Sequence, residues 1–364
     1  MSNKKTPLYN RHIELNGTMV NFGGFLLPTQ YIGIKQEHEN VRKKAGLFDV
    51  SHMGEFIVSG SGAENFLQRI TINDIKALCS GQAQYSAMCY EDGGIIDDLI
   101  IYKQKDKYML VVNAANIEKD YNWLESHKSN DVNIEDKSNE IGLLALQGPV
   151  SRNILQPLTD TDLSNIKFYN FVEGRVNNIK CIISRTGYTG ELGFELYANI
   201  QNIIDLWDSI MNVGESKGLE PAGLGCRDTL RMEMKYVLYG NDIDETTNPL
   251  EAGLGWITRL NKNDFLGREA LLSAKRKLKR KLVCIKMKER AIPRKGCPIL
   301  INDKLIGEIT SGTMSPTIRE GIGIGYVNLD YSKSGIEFDI DIRGKLKSAV
   351  VIKPPFYHSG SLMD

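Results

Sequence analysis

Two adjacent carboxylates open the stretch with the densest polar signal in the chain, Gly93-Gly94-Ile95-Ile96-Asp97-Asp98-Leu99-Ile100-Ile101-Tyr102. A glycine turn hands over to an apolar, β-rich run, so both acids stand at the start of a strand. Neighbours on a strand point to opposite faces; Asp97 and Asp98 therefore cannot both enter one pocket, and one is expected to face solvent. A carboxylate turned into an apolar interior has a raised pKa unless donors hold it, and it then either hooks a ligand or handles a proton. The alternative is a turn whose acids cap backbone amides.

Glu195 is the second candidate. In Gly193-Phe194-Glu195-Leu196-Tyr197, alternation sets Phe194 and Leu196 on one face and Glu195 with Tyr197 on the other, which solvent exposure would satisfy. The preceding Ser184-Arg185-Thr186-Gly187-Tyr188-Thr189-Gly190-Glu191 offers a second reading: glycine-spaced turns let backbone approach a ligand closely, and Tyr188 supplies a ring to stack on it. Arg227 is the third, after Gly223-Leu224-Gly225 at the start of a helix expected over 228–235. Beside a glycine turn an Arg can clamp a carboxylate bidentately, or it can pair with Asp228, Glu233 or Glu195.

Several other sites are excluded by spacing. Gly223-Leu224-Gly225-Cys226-Arg227-Asp228 starts like a dinucleotide fingerprint, but Asp228 occupies the third glycine position and would oppose a pyrophosphate. Neither a P-loop nor His-Glu-x-x-His occurs, and five scattered histidines form no ligand cluster, so no metal is expected. Six dispersed cysteines with no C-x-x-C pair read, for the most part, as buried thiols. With 45 basic and 45 acidic residues the net charge is zero, which argues against nucleic acid. No stretch approaches a membrane span and Met1–Pro7 lacks a signal-peptide core, so the expected location is cytoplasmic. The neutrality conceals a division: residues 275–364 carry 18 basic and 9 acidic side chains, leaving 27 and 36 in residues 1–274. The basic run Lys275-Arg276-Lys277-Leu278-Lys279-Arg280-Lys281 is either a solvated helix end or a dock for an acidic partner.

Around these residues strands and helices alternate. Strands are expected near 56–58, 84–90, 99–103, 108–113, 141–147, 180–185 and 194–197, and helices over 63–70, 117–127, 150–158 and 203–216. Beyond the basic run helical periodicity disappears, and five short strands at 282–286, 305–310, 323–327, 337–342 and 349–353 predict a small all-β barrel or sandwich.

Together the segments resemble the glycine cleavage T-protein family. The matching motifs are Thr6-Pro7-Leu8, Phe48-Asp49-Val50-Ser51-His52-Met53-Gly54, Gly93 to Leu99, Gln147-Gly148-Pro149, Ser184 to Glu191, Ala222 to Asp228 and Lys353-Pro354-Pro355-Phe356-Tyr357, and they span nearly the whole chain. The resemblance implies an α+β fold: a three-domain, cloverleaf-like ring around a folate site, with a C-terminal all-β barrel-like domain. Two interleaved domains, 1–52 plus 142–220 and 53–141 plus 221–274, would make up residues 1–274, and 275–364 the barrel. It further implies an aminomethyltransferase that moves a one-carbon unit from the lipoyl arm of H-protein to tetrahydrofolate, its acceptor substrate, with no metal, nucleic acid or membrane involved. Asp98 matches the family's essential aspartate, Glu195 its pterin-binding glutamate and Arg227 a substrate-site arginine, while Met53, Tyr85, Asn113 and Tyr188 fall at positions expected to line the folate cavity.

Departures from the family pattern are small. Cys226 stands where Ala is common, Gly240-Asn241-Asp242 replaces Gly-Gln, Phe25 replaces Trp, and the tail 358–364 has no arginine to reach folate. A folate-dependent demethylase module would bring a flavin domain for which the chain has no room. An iron–sulfur accessory protein of the same fold would carry a Lys-Gly-Cys-Tyr motif where Lys235-Tyr236-Val237-Leu238 stands.

Overall fold

The apolar run 141–146, which Gln147 ends, requires cover on both faces. In the computed structural model, which describes residues 3–262 and 264–364, it lies inside a six-stranded sheet ordered Phe171–Val176, Ile179–Ser184, Gly193–Asn199, Ile141–Gln147, Ala45–Asp49, Leu219–Pro221. One face packs under the helix Ile203–Glu215, whose Ile203, Leu206, Trp207 and Ile210 recur at helical spacing and meet Leu144, Leu146, Phe194 and Leu196. The other face presents Leu143, Ala145 and Tyr197 to a second sheet.

That second sheet has five strands, ordered Gln82–Cys89, Ile95–Lys103, Lys107–Val112, Gly54–Ser59, Asn133–Asp136. Its Tyr102, Met109 and Val111 face the first sheet, while Leu99, Ile101 and Leu110 pack against the helices Ala63–Ile70 and Ile117–His127. Mixed α+β architecture therefore arises from two sheets packed face to face, each with helices on its outer side.

Residues 280–352 close a barrel in the order Arg280–Met287, Gly321–Asn328, Lys304–Met314, Pro298–Ile301, Glu337–Ile342, Lys345–Ile352. The expected five strands are all present; Pro298–Ile301 is a sixth. Proline opens that strand, the position where its missing N–H is tolerated, and four residues give too short an alternation to detect.

Two further differences from the sequence expectation matter for the site. The helix expected over 228–235 runs Leu224–Glu233, starting four residues earlier. Gly225 reads as part of a turn but serves packing: a Cβ there would sit 2.5 Å from Ile34 Cδ1 on the neighbouring helix Ile34–Lys43. The first 50 residues, where no element was expected, contribute a hairpin, Thr18–Phe22 with Phe25–Gln30, turning on Gly23 and Gly24 at positive φ. Among the described residues no helix is long and apolar enough to cross a membrane, and all six cysteines are free, four of them buried.

Candidate active site

The strand Ile95–Lys103 turns Asp98, Ile100 and Tyr102 toward the six-stranded sheet and Asp97, Leu99 and Ile101 away from it. Asp98 is half-buried. Its Oδ2 accepts from Tyr85 OH at 2.8 Å, and its Oδ1 from Asn113 Nδ2 at 2.9 Å. Tyr85 reaches it from the paired strand Gln82–Cys89. Burial and the adjacent Asp97 charge push Asp98 up to about 7, against those two donors. The Tyr85 ring stacks on Trp256, which is 62% exposed and marks the rim.

Asp97 does not face solvent as strand alternation alone predicts; it is fully buried. The far side of the strand is covered by Ala114–Asn116 and the helix Ile117–His127, and the turn entering them supplies donors: Asn113 N at 3.0 Å, Asn113 Nδ2 at 2.8 Å and Asn116 Nδ2 at 2.6 Å. One side-chain amide, that of Asn113, thus touches both acids.

Glu195 is buried too, because the second sheet covers the face that would otherwise meet water. Thr186 Oγ1 donates to its Oε2 at 2.5 Å, and Tyr102 OH and Tyr197 OH stand 3.5 Å from the same oxygen. Among the described residues every such bond falls on Oε2, leaving Oε1 for a ligand donor. The 186–189 turn is anchored from beneath by Gln147, whose Nε2 donates to Thr186 O at 3.1 Å and whose Oε1 accepts from Thr189 Oγ1 at 2.8 Å. Gly187 is required there, since a Cβ would lie 2.0 Å from Gln147 Oε1.

Arg227 makes none of the three ion pairs open to it: Asp228 pairs with Arg231 at 2.8 Å and Glu233 with Arg42 at 2.7 Å. Its guanidinium instead lies 4.7 Å from the centre of the Tyr188 ring, which stacks on Tyr236 and donates from its hydroxyl to Val237 O. Tyr188 feels the charges of both Arg227 and Asp98, and Arg227 that of Glu195, so the three candidates share one electrostatic neighbourhood. Met53 is half-buried beside the same seam, after His52, which is packed edge-on against Phe22 and Phe25 and which burial holds down to about 4. The seven expected residues thus fall in one neighbourhood. Tyr102, Thr186, Gln147 and Trp256 complete it without having been expected. The two-residue period from Asp98 through Ile100 signals Tyr102; nothing local signals Trp256. No group of three or more His, Cys, Asp or Glu able to hold a metal occurs among the described residues.

Residues 8–262 match the family described as the GCVT N-terminal domain, and residues 280–358 the glycine cleavage T-protein C-terminal barrel domain. The chain is 50% identical to an aminomethyltransferase of Halothermothrix orenii over 355 residues, 97% of this chain and 99% of that protein. It is 47% identical to an aminomethyltransferase of Bacillus subtilis over 358 residues, 97% and 99% of the two. The crystal structure of glycine cleavage system aminomethyltransferase T from Bartonella henselae superposes with a TM-score of 0.92 at 33% identity, over 99% of each chain.

Proposed function

The chain belongs to the glycine cleavage T-protein family, and from that premise we propose how its site performs aminomethyl transfer. It is an aminomethyltransferase of the glycine cleavage system. The one-carbon unit leaves the aminomethyl-lipoyl arm of H-protein and is taken up by tetrahydrofolate as 5,10-methylenetetrahydrofolate, with release of ammonia and dihydrolipoyl H-protein.

The observation that carries the site assignment is the pair of carboxylates at its two ends: Asp98, fixed by Tyr85 and Asn113, and Glu195, bonded through Oε2 alone. Glu195 offers Oε1 to an N–H of the pterin's amino-pyrimidinone edge. Tyr188, its ring engaged by Tyr236 and by the Arg227 guanidinium, forms part of the wall beside that ring system. Asp98 stabilises the cationic iminium that forms as the carrier's C–S bond breaks and folate N5 attacks, and it holds the folate near N10. Met53, Tyr85 and Asn113 line the remaining wall. The buried phenols and the covering sheet keep water from the iminium.

The same reading divides the chain into 1–52 plus 142–220, 53–141 plus 221–274, and 275–364, and it assigns the work to the cytoplasm. The two sheets and the barrel support the division by drawing their strands from those segments.

The test supplies aminomethylated H-protein and tetrahydrofolate and measures methylenetetrahydrofolate and ammonia. Production of both, lost in Asp98→Asn while the variant still binds folate, supports the reading. Wild-type protein that binds folate but forms neither product would mark a folate-binding accessory protein instead. Glu195→Ala is expected to lower folate affinity most, and unchanged binding would remove that residue from the site.

A further inference from the structure

Behind Asp98 lies an acid that the transfer chemistry above leaves unused. Asp120, on the helix Ile117–His127, is fully buried, and neither carboxyl oxygen receives an N–H or O–H bond from the described residues. After burial, the neighbouring Asp97 carboxylate is the largest influence on it. A fully buried carboxyl without a single donor is stable only with its proton, and between two adjacent carboxyls that proton is shared as a donor to the other. N–H donors favour the ionised form; Asp97 has the backbone and side-chain N–H of Asn113 and the amide of Asn116, whereas Asp120 has none. The proton therefore belongs to Asp120. The adjacent Lys119 does not replace it: its ammonium donates to Ile96 O at 2.5 Å and to Tyr239 OH at 2.9 Å and to neither Asp120 oxygen.

We propose that Asp120 is a positioning residue for aminomethyl transfer: as a carboxylic acid it donates to Asp97, keeps Asp97 an anion, and through Asp97 and the shared Asn113 amide sets the orientation and charge state of Asp98. This rests on the reading of Asp98 as the group at the reacting centre. The geometric link is Asn113 Nδ2, which lies 2.8 Å from Asp97 Oδ1 and 2.9 Å from Asp98 Oδ1, so turning one carboxylate moves the amide that holds the other. The electrostatic link is the single negative charge of the Asp97–Asp120 pair, which opposes ionisation of Asp98. Tyr85, Tyr169 and Tyr188 face Asp98 from the surrounding strands and turns, while Lys119, Tyr239 and Tyr90 face the pair from the helix side.

The experiment follows the pH dependence of kcat/KM for tetrahydrofolate in wild type, Asp97→Asn, Asp120→Asn and Asp120→Leu, where ionisation of Asp98 sets the acid limb. Asp120→Asn keeps an N–H for Asp97 and should retain the wild-type midpoint. Asp120→Leu keeps the volume but not the donor; Asp97 then takes up the proton, its charge vanishes, and the midpoint should fall by roughly one pH unit, as in Asp97→Asn. An unshifted Asp120→Leu profile, or an Asp120→Asn variant impaired as deeply as Asp120→Leu, overturns the proposal. Carboxyl-labelled aspartate NMR gives a second readout that needs no turnover and no destabilised variant. A protonated carboxyl resonance at about pH 8 in wild type, absent from Asp120→Asn, is expected, and a wild-type spectrum without it overturns the proposal. Full turnover in Asp98→Asn would instead sink the catalytic reading of Asp98, leaving the NMR result as it stands.

Discussion

The hydroxyls of Tyr102 and Tyr197 meet at 2.9 Å across the seam between the five-stranded and six-stranded sheets. Tyr102 lies four residues beyond Asp98 on the same face of its strand, and Tyr197 two beyond Glu195 on the same face of its own. Two rigid rings in contact thus span the distance between the two carboxylates. Burial, reinforced by the Glu195 charge, raises both phenols' pKa values and keeps their protons available for hydrogen bonding.

Removing one of these hydroxyls should therefore loosen Glu195 more than it disturbs chemistry. Tyr102→Phe loses the contacts to Tyr197 at 2.9 Å and Thr186 at 3.2 Å, and it is expected to cost about 1–2 kcal/mol of stability. Folate affinity should drop about three- to tenfold while kcat changes little. In a cycle with Tyr197→Phe, the double variant should lose less than the sum of the singles, because each single leaves the other hydroxyl unpartnered. Strict additivity in denaturant unfolding and titration calorimetry would show that the hydroxyls act independently.

The two neighbouring acids should separate in kinetics. Asp98→Asn is expected to cut turnover by about 100-fold or more, since a neutral amide cannot stabilise a developing cation as a carboxylate does. Asp97→Asn should do less, because Asp97 acts through Asn113 and not on substrate. The reverse order in steady-state assays would transfer the central role to Asp97.

Period and spacing made much of this site legible. Alternation separated Asp97 from Asp98 and paired Glu195 with Tyr197, and both pairings hold. What alternation cannot reveal is what covers the second face. Asp97 and Glu195 both looked free to meet water, and both are buried, one by the helix that brings Asn116 and Asp120, the other by a sheet whose strands come from another part of the chain. The interleaving of the two sheets is a long-range property: Ala45–Asp49 pairs with Ile141–Gln147 across nearly a hundred residues. Gly225 misled for a related reason, since a glycine needed for helix–helix approach looks the same in sequence as one needed for a turn.

The basic run keeps both of its readings. Lys275 and Arg276 end the helix Arg268–Arg276, and Lys275, Lys279 and Lys281 are exposed, with no salt bridge among the described residues. Reversing the charge at these three lysines should raise KM for H-protein several-fold at low salt, with the difference shrinking as ionic strength rises, and should leave the reaction with free lipoamide carriers unchanged. An unaltered KM for H-protein would make the run a solvated helix end.

A buried ion network joins the barrel to the body, and it should dominate the response to mutation there. Arg42 donates to Glu233 Oε2 at 2.7 Å and to Glu191 Oε1 at 2.9 Å, while the barrel's Thr317 hydroxyl donates to Glu233 at 2.9 Å. Arg42→Met removes the counter-charge of two buried carboxylates, which keep only their neutral donors, and is expected to cost about 3–5 kcal/mol. Replacing Lys43, exposed on the same helix, should cost less than about 0.5 kcal/mol. Equal losses in urea unfolding would remove the network as a source of stability.

Asp98 should also leave a mark on stability, opposite in sign to that of an ion-paired acid. Its folded pKa is raised to about 7, chiefly by burial and then by Asp97, from an ordinary 3.8. Between those values the unfolded chain has released the proton and the folded one retains it, so stability falls as pH rises through the window and stays lower above it. An amide at this position has no proton to lose. Ligand-free Asp98→Asn should therefore match wild type near pH 4 and exceed it near pH 8, by about 1–2 kcal/mol, the full shift being discounted because the group is partly exposed. Urea unfolding of both proteins at the two pH values measures the difference. A variant no more stable than wild type at pH 8 would show that the free protein bears no such cost, and that Asp98 ionises there as an ordinary carboxylate. The expected gain is instead what a site organised around a cationic transition state produces when its carboxylate waits in a partly buried position without its cation.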